Sequence, residues 1–240
     1  MSSKPFFIEK LIEESGLTNP RMLELACGTA RYMPEILKKY PGITYTGLEP
    51  LRSSYDEAVK HIGSLPQVTL HNRLGYGELE NVPPESFDIV YSISALEHIK
   101  DLSAFIKMSA HYVKKGGLLV HRYDLGHALY PVSLKERFHA FLGNTMPALL
   151  PVNKFVRYVS EDEVATLCRD NACDPFKSTY HQMPNHKSLE KASVGTSALE
   201  EAVAELYAWE WKHEKDFSTL PVRLREALFP AVAVWTRKKQ

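Results

Sequence analysis

Apolar residues along the first half of this chain switch repeatedly between two spacings. Residues 5–16, PFFIEKLIEESG, place them three and four apart and stop at Gly16, which predicts a helix with a glycine C-cap. RMLELA (21–26) is a short apolar run that predicts a strand. TARYMPEILKKY (29–40) then predicts a helix stopped by Pro41 and Gly42. The same exchange continues through ITYTGLE (43–49, strand), SSYDEAVKHIG (53–63, helix), QVTLHN (67–72, strand) and SFDIVYSIS (86–94, strand). LSAFIKMSAHYVKKGG (102–117) predicts a helix ending on two glycines, and LLVHRYD (118–124) a fifth strand. Strands alternating with helices over short links predict a parallel sheet covered on both faces, because right-handed crossovers leave few other arrangements.

From about residue 125 the rhythm breaks into aromatics, prolines and short helical pieces with no clear strand. Ser160 with Glu163 reads as a capping box for a helix over EDEVATLCRDNA. DPFKSTYHQM (174–183) predicts a sixth strand and ALFPAVAVWTRK (227–238) a last one. Between them TSALEEAVAELYAWEWKHE predicts an amphipathic helix with Leu199, Val203, Leu206 and Tyr207 on its apolar face. Trp209 and Trp211, two apart, cannot face one core together. The expected organisation is one domain over 1–240, with 125–172 and 185–220 on the substrate side as lid segments.

Composition narrows the function classes. The chain has 240 residues, 44% hydrophobic and 24% charged, as a well-filled globular domain requires. Lys and Arg together number 29, as do Asp and Glu, which argues against a broad electrostatic grip on nucleic acid. No apolar run reaches the roughly 20 residues that span a bilayer, so no membrane partner is expected. The three cysteines Cys27, Cys168 and Cys173 show no metal-like clustering; no metal site and a reduced cytoplasmic setting are the expectations. Cys27 reads as a small packing residue.

The turn after the first strand carries the chemistry. A P-loop needs Lys followed by Ser or Thr, which is absent after Gly28. A dinucleotide fingerprint needs glycines where Ala26, Gly28 and Arg31 stand, one match in three, so an NAD-dependent oxidoreductase is a distant reading. An adenosine ligand without phosphate demands only one close backbone approach. Glu49, about twenty residues beyond Gly28, suits the two hydroxyls of a ribose. Glu24 adds a negative charge that favours an ammonium or sulfonium.

LELACGTARY resembles the first motif of the class I S-adenosylmethionine-dependent methyltransferases, with Glu24 in the acidic place and Ala26, Gly28 and Ala30 in the three glycine places. YTGLEP resembles the second-strand motif, SFDIVYSISALEHIKD the fourth-strand motif, and VKKGGLLVHR the entry to the fifth strand. The resemblance covers roughly residues 20–125 and returns at AVAVWTRK. It implies an α/β fold, Rossmann-like, with a seven-stranded, mostly parallel sheet, a C-terminal antiparallel hairpin and a helical lid insertion. It implies S-adenosyl-L-methionine as cofactor, held by Glu24, Ala26, Cys27, Gly28, Glu49, Pro50, Ser92 and Ile93. The third strand lacks the acidic residue often found near the adenine; Arg73, Leu74 or Glu78 are the substitutes.

A methyl acceptor that is a hydroxyl needs its proton removed. His98 follows the fourth strand in ALEHIKD, and HRYDLGHALYP places His121, Asp124 and His127 near the end of the fifth. These four form the pool from which a base is expected, Asp124 orienting His121 or His127. The segment after the fifth strand looks like the lid of methyltransferases of sugar and polysaccharide biosynthesis, so O-methylation of a sugar or related small metabolite is the expected function. The rivals are a methyltransferase acting on protein or nucleic acid, and a cofactor-binding or interaction module without catalysis.

Overall fold

The computed structural model describes residues 3–73, 77–129, 134–146, 148, 150, 155–182, 189 and 192–240, the side chains of His127, Glu136 and Phe176 excepted. Its strands are β1 (Arg21–Leu25), β2 (Thr44–Leu48), β3 (Val68–His71), β4 (Phe87–Ile93), β5 (Val113–Asp124), β6 (Cys173–His181) and β7 (Ala231–Lys238). They form one seven-stranded sheet in the order β3-β2-β1-β4-β5-β7-β6. The first five pair in parallel, and β7 runs antiparallel between β5 and β6. The parallel part is what the strand and helix alternation predicts, and the antiparallel C-terminal strands are what the family resemblance implies.

The helices are α1 (Ser3–Ser15), α2 (Met33–Lys39), α3 (Arg52–Ile62), α4 (Leu102–Tyr112), α5 (Gly126–Leu129), α6 (Leu134–Thr145), α7 (Glu161–Asp170), α8 (Ser197–Lys212), α9 (Glu214–Ser218) and α10 (Val222–Leu228), with a 3-10 turn at Leu96–His98. On one face of the sheet Phe7, Ile8, Leu11 and Ile12 of α1 and Met33, Ile36 and Leu37 of α2 pack on Met22, Tyr45, Ile89 and Tyr91. On the other, Phe105, Ile106 and Tyr112 of α4 and Val164 and Cys168 of α7 pack on Leu23, Val90, Leu119 and Tyr123. Neighbouring strand residues point to opposite faces, so the continuous apolar runs feed both cores at once.

Several elements differ from their sequence expectation. Helix α4 ends at Tyr112, and the Lys-Lys-Gly-Gly stretch lies inside β5, where pairing jumps from Phe87 with Val113 to Ile89 with Leu118. Gly116 takes a left-handed φ of 75° there; the two glycines serve a bulge and do not stop the helix. Helix α7 is capped by Ser160, whose Oγ accepts from Glu163 N at 3.1 Å. It packs on the sheet face, so this part of 125–172 is core and not lid. On α8 the buried side chains are Val203, Tyr207 and Glu210, while Leu199 is exposed. Trp211 packs on Phe7 and Trp235, and Trp209 turns the other way onto Phe217.

Candidate active site

The carboxyl ends of β1, β2 and β4 converge on a single turn, as open α/β sheets arrange their ligand crevices. Ala26, Gly28 and Ala30 all have positive φ, at 61°, 62° and 46°. The three places where the family motif carries glycine thus keep the glycine conformation, although two hold alanine. A Cβ built on Gly28 meets no atom within 4 Å, so the space in front of the turn is open to a ligand. Cys27 N donates to Leu48 O at 2.9 Å and ties the turn to β2. The Cys27 thiol is buried, and burial pushes its pKa up, which makes it a packing group and no nucleophile.

Glu49, only 5% exposed, closes the other side of this space. Its Oε2 accepts from Gly28 N and its Oε1 from Leu51 N, each at 2.8 Å. Each carboxylate oxygen has two acceptor positions, so one on each oxygen remains for a ribose hydroxyl. The residues therefore fit the adenosine end of the expected cofactor. Asn72, not anticipated from the sequence, donates through Nδ2 to the carbonyls of Glu49 and Pro50 at 2.8 and 3.3 Å. Its signal was its place, one residue past β3 at the crevice end. Arg73 donates to Glu78 O at 2.6 Å, so its guanidinium serves its own loop. Leu74 lies outside the described residues.

Glu24 has a different environment from the one expected. It is fully buried below the turn, and its carboxylate accepts from the hydroxyls of Tyr32, of Tyr45 at 2.6 Å and of Tyr91 at 3.1 Å. Burial raises its pKa, while Lys4 and the three hydroxyls pull it back down. Glu24 thus anchors the turn from beneath, with no exposed surface of its own. Ser92 and Ile93 are also buried: Ser92 Oγ lies 2.9 Å from His121 Nδ1 on the α4 face, and Ile93 packs in the core on the α1 face.

The four expected bases separate. His121 lies inside β5 with no exposed surface, its ring 5.8 Å from that of Phe105. Burial pushes its pKa down to about 3. Asp124, three residues on, points to the opposite face of the strand, so the two do not form the expected pair. Asp124 Oδ1 accepts from Gly126 N at 2.8 Å. His127 lies in α5, and its side chain is outside the described set.

Among the expected bases whose side chains are described, His98 combines access with fixed geometry. Its side chain is 40% exposed, and its Nδ1 lies 2.8 Å from the Phe155 carbonyl. A carbonyl only accepts, so Nδ1 carries the proton and Nε2 of the neutral ring keeps its lone pair. The neighbouring Glu97 is buried, with Oε1 4.0 Å from His98 Nε2, and its carbonyl accepts from Arg157 N at 3.0 Å. Two hydrogen bonds thus hold the turn after β4 against residues 155–157. Among the described residues no three His, Cys, Asp or Glu side chains converge on a metal position, and no helix is long and apolar enough to cross a membrane.

Known proteins share this architecture. The phosphoethanolamine N-methyltransferase 2 of Haemonchus contortus, solved with S-adenosyl-L-methionine, superposes with a TM-score of 0.64 at 15% identity, over 97% of this chain and 52% of that one. The geranyl diphosphate C-methyltransferase of Streptomyces coelicolor A3(2) gives 0.62 at 14% identity, over 98% and 79%. At such identities the likeness is one of fold. Two curated relatives are named ubiquinone biosynthesis O-methyltransferase. That of Bradyrhizobium sp. (strain ORS 278) is 31% identical over 104 residues, which are 43% of this chain and 40% of the relative. That of Paracidovorax citrulli (strain AAC00-1) is 25% identical over 171 residues, 68% of this chain and 66% of the relative. The chain thus matches less than two thirds of either relative's length. The model of the methyltransferase domain matches residues 6–174, from α1 through the crevice turn to the start of β6. With the left-handed turn, the Glu49 clamp and the sheet order in agreement, the chain belongs to this family, the class I S-adenosylmethionine-dependent methyltransferases.

Proposed function

We propose that the chain transfers a methyl group to a hydroxyl oxygen of a small metabolite, with His98 taking the proton. The observation that carries the reading is the Nδ1 hydrogen bond of His98 to the Phe155 carbonyl, which fixes the ring at the crevice end of β4 and makes Nε2 the basic nitrogen of the neutral imidazole. S-adenosylmethionine supplies a methyl carbon activated by its sulfonium. Gly28 and Glu49 hold the nucleoside end, and the residues after β4 and β5 present the acceptor. As the acceptor oxygen bonds to the methyl carbon, the carbon–sulfur bond breaks with its electron pair going to sulfur, and the hydroxyl proton passes to His98 Nε2. An oxygen acceptor accords with the names of the curated relatives. The sugar acceptor rests on the lid segment alone; a precursor of the ubiquinone type competes with it. The three free, buried cysteines support a reduced cytoplasmic setting.

The test supplies methyl-labelled S-adenosylmethionine to the purified protein with fractionated extract of its source cells. Label is expected in the small-metabolite fraction. His98→Gln, whose amide can still donate to the Phe155 carbonyl, should reduce it by about 100-fold or more with S-adenosylhomocysteine binding retained. Label in protein or nucleic acid refutes the acceptor class, and an unaffected His98→Gln refutes the base.

A further inference from the structure

A second cavity, of about 150 Å3, lies between the N-terminus of α7, helix α10 and the ends of β5, β6 and β7. Tyr123, Tyr158, Tyr180, Glu161, Glu226 and Arg225 line it. Tyr158 Oη donates to Glu226 Oε1 at 2.6 Å, and Tyr180 donates to Glu161 Oε2. Tyr123 differs from both. It is 1% exposed, and among the described residues its hydroxyl has no hydrogen-bond partner. Burial pushes its pKa well above the ordinary value, so the group is a neutral phenol. A buried polar group left unpaired destabilises a fold unless something else satisfies it. Here the chain leaves both the group and a space beside it.

We propose that this cavity binds a small primary ammonium group. Two half-buried carboxylates, Glu161 and Glu226, with Asp162 at the rim, outnumber the one guanidinium of Arg225. The aromatic walls favour a cation as well. The chain already demonstrates this, because the Arg225 guanidinium sits 4.1 Å from the centroid of the Tyr180 ring, its Nη2 3.5 Å from Glu161. An ammonium N–H supplies the donor that the Tyr123 oxygen lacks, and the carboxylates supply the countercharge. At about 30 Å3 per water-sized group, the cavity takes about five non-hydrogen atoms. The inference stands apart from the acceptor reading above, although the two sites are neighbours: Tyr158 follows Phe155, whose carbonyl holds His98, by three residues. The ammonium is therefore carried either by the methyl acceptor or by a separate amine.

The test is a ligand-observed NMR titration of the full chain with propylammonium, with 1-propanol as the neutral match and propionate as the anion. Propylammonium is expected to bind about tenfold more tightly than propanol, because its hydrogen bonds are charge-assisted. Glu226→Gln should weaken it about fivefold, and the near-isosteric Tyr123→Phe about threefold, with the melting temperature of each within the folded range. Equal binding of propanol, preferred binding of propionate, or indifference to both substitutions overturns the proposal. None of these readings requires methyl transfer, so failure here is separate from failure of the acceptor reading. A competition arm assigns the source: propylammonium suppresses methyl labelling if the acceptor carries the ammonium, and leaves it unchanged if a separate amine does. Either result, with saturable binding established, supports the site.

Discussion

The crevice turn holds two alanines in a glycine conformation, and their substitution by glycine separates backbone strain from packing. An L-residue in the left-handed region costs about 1–2 kcal/mol. Glycine removes that cost but adds about 0.4–1 kcal/mol of conformational freedom to the unfolded chain. Ala26 is only partly buried, so Ala26→Gly nets about 0.5–1 kcal/mol of stabilisation. Ala30 has the same conformation, but its methyl is fully buried beside Tyr32 and Met33. Removing that methyl forfeits about 0.8 kcal/mol, so Ala30→Gly should be close to neutral. Urea unfolding followed by far-UV circular dichroism measures both, with equal m-values as the check that the unfolded state is unchanged. In a thermal scan, Ala26→Gly should raise the midpoint by about 2–3 °C while Ala30→Gly moves it by less than about 1 °C. A loss of stability in Ala26→Gly, or equal gains in both variants, would refute strain as the property these alanines carry.

Other residues give independent checks. Glu49→Gln removes the charge that Gly28 N and Leu51 N share, and it should weaken S-adenosylhomocysteine binding by about 10- to 100-fold in calorimetric titration. An affinity within twofold of wild type would remove Glu49 from the cofactor site. Glu24→Gln leaves one acceptor oxygen for three tyrosine hydroxyls and should destabilise by about 1–3 kcal/mol in urea unfolding. The pH dependence of stability reports on His121. Its folded pKa lies near 3, so in the unfolded chain it takes up a proton at higher pH than in the folded one. Stability is present above the unfolded value near 6.5 and falls as pH drops from there toward 3, by about 1.4 kcal/mol per unit from this group. His121→Gln should reduce the measured slope between pH 6 and 4 by about one proton, and an unchanged slope contradicts the assignment.

The sheet was legible because its information is local. β1 and β4 are short, mostly apolar runs bounded by turn residues, and the alternation of strands with helices implies the parallel pairing of the first five strands. The bulge in β5 was not, because Lys-Lys-Gly-Gly reads equally as a helix stop until β4 pairs on both sides of it. Site residues divided along the same line. The meeting of Glu49 with Gly28 was legible from their spacing within one strand–helix–strand unit. His121 was misleading because strand-end proximity in sequence says nothing of which face a side chain takes, and its partner Ser92 comes from another strand. The tyrosines around Glu24 arrive from α2's cap, β2 and β4, a convergence that no single window contains. The same holds for His98, whose tautomer is chosen by a carbonyl in a distant segment.

The position of β7 has a consequence for how the molecule is made. Both β5 and β6 hydrogen-bond to it, Asp124 opposite Ala231 on one side and His181 opposite Ala231 on the other. During synthesis the first five strands can therefore assemble while β5 still presents an open edge, and β6 has no place in the sheet. Such an edge, lined by Leu118, Leu119 and Val120, invites pairing with another chain. The closing strand pairs with two strands distant in sequence, and such pairings are the slow ones to form. Sealing of the sheet, maturation of the second cavity and protection from aggregation thus await a single late event, the insertion of β7 between two strands already made.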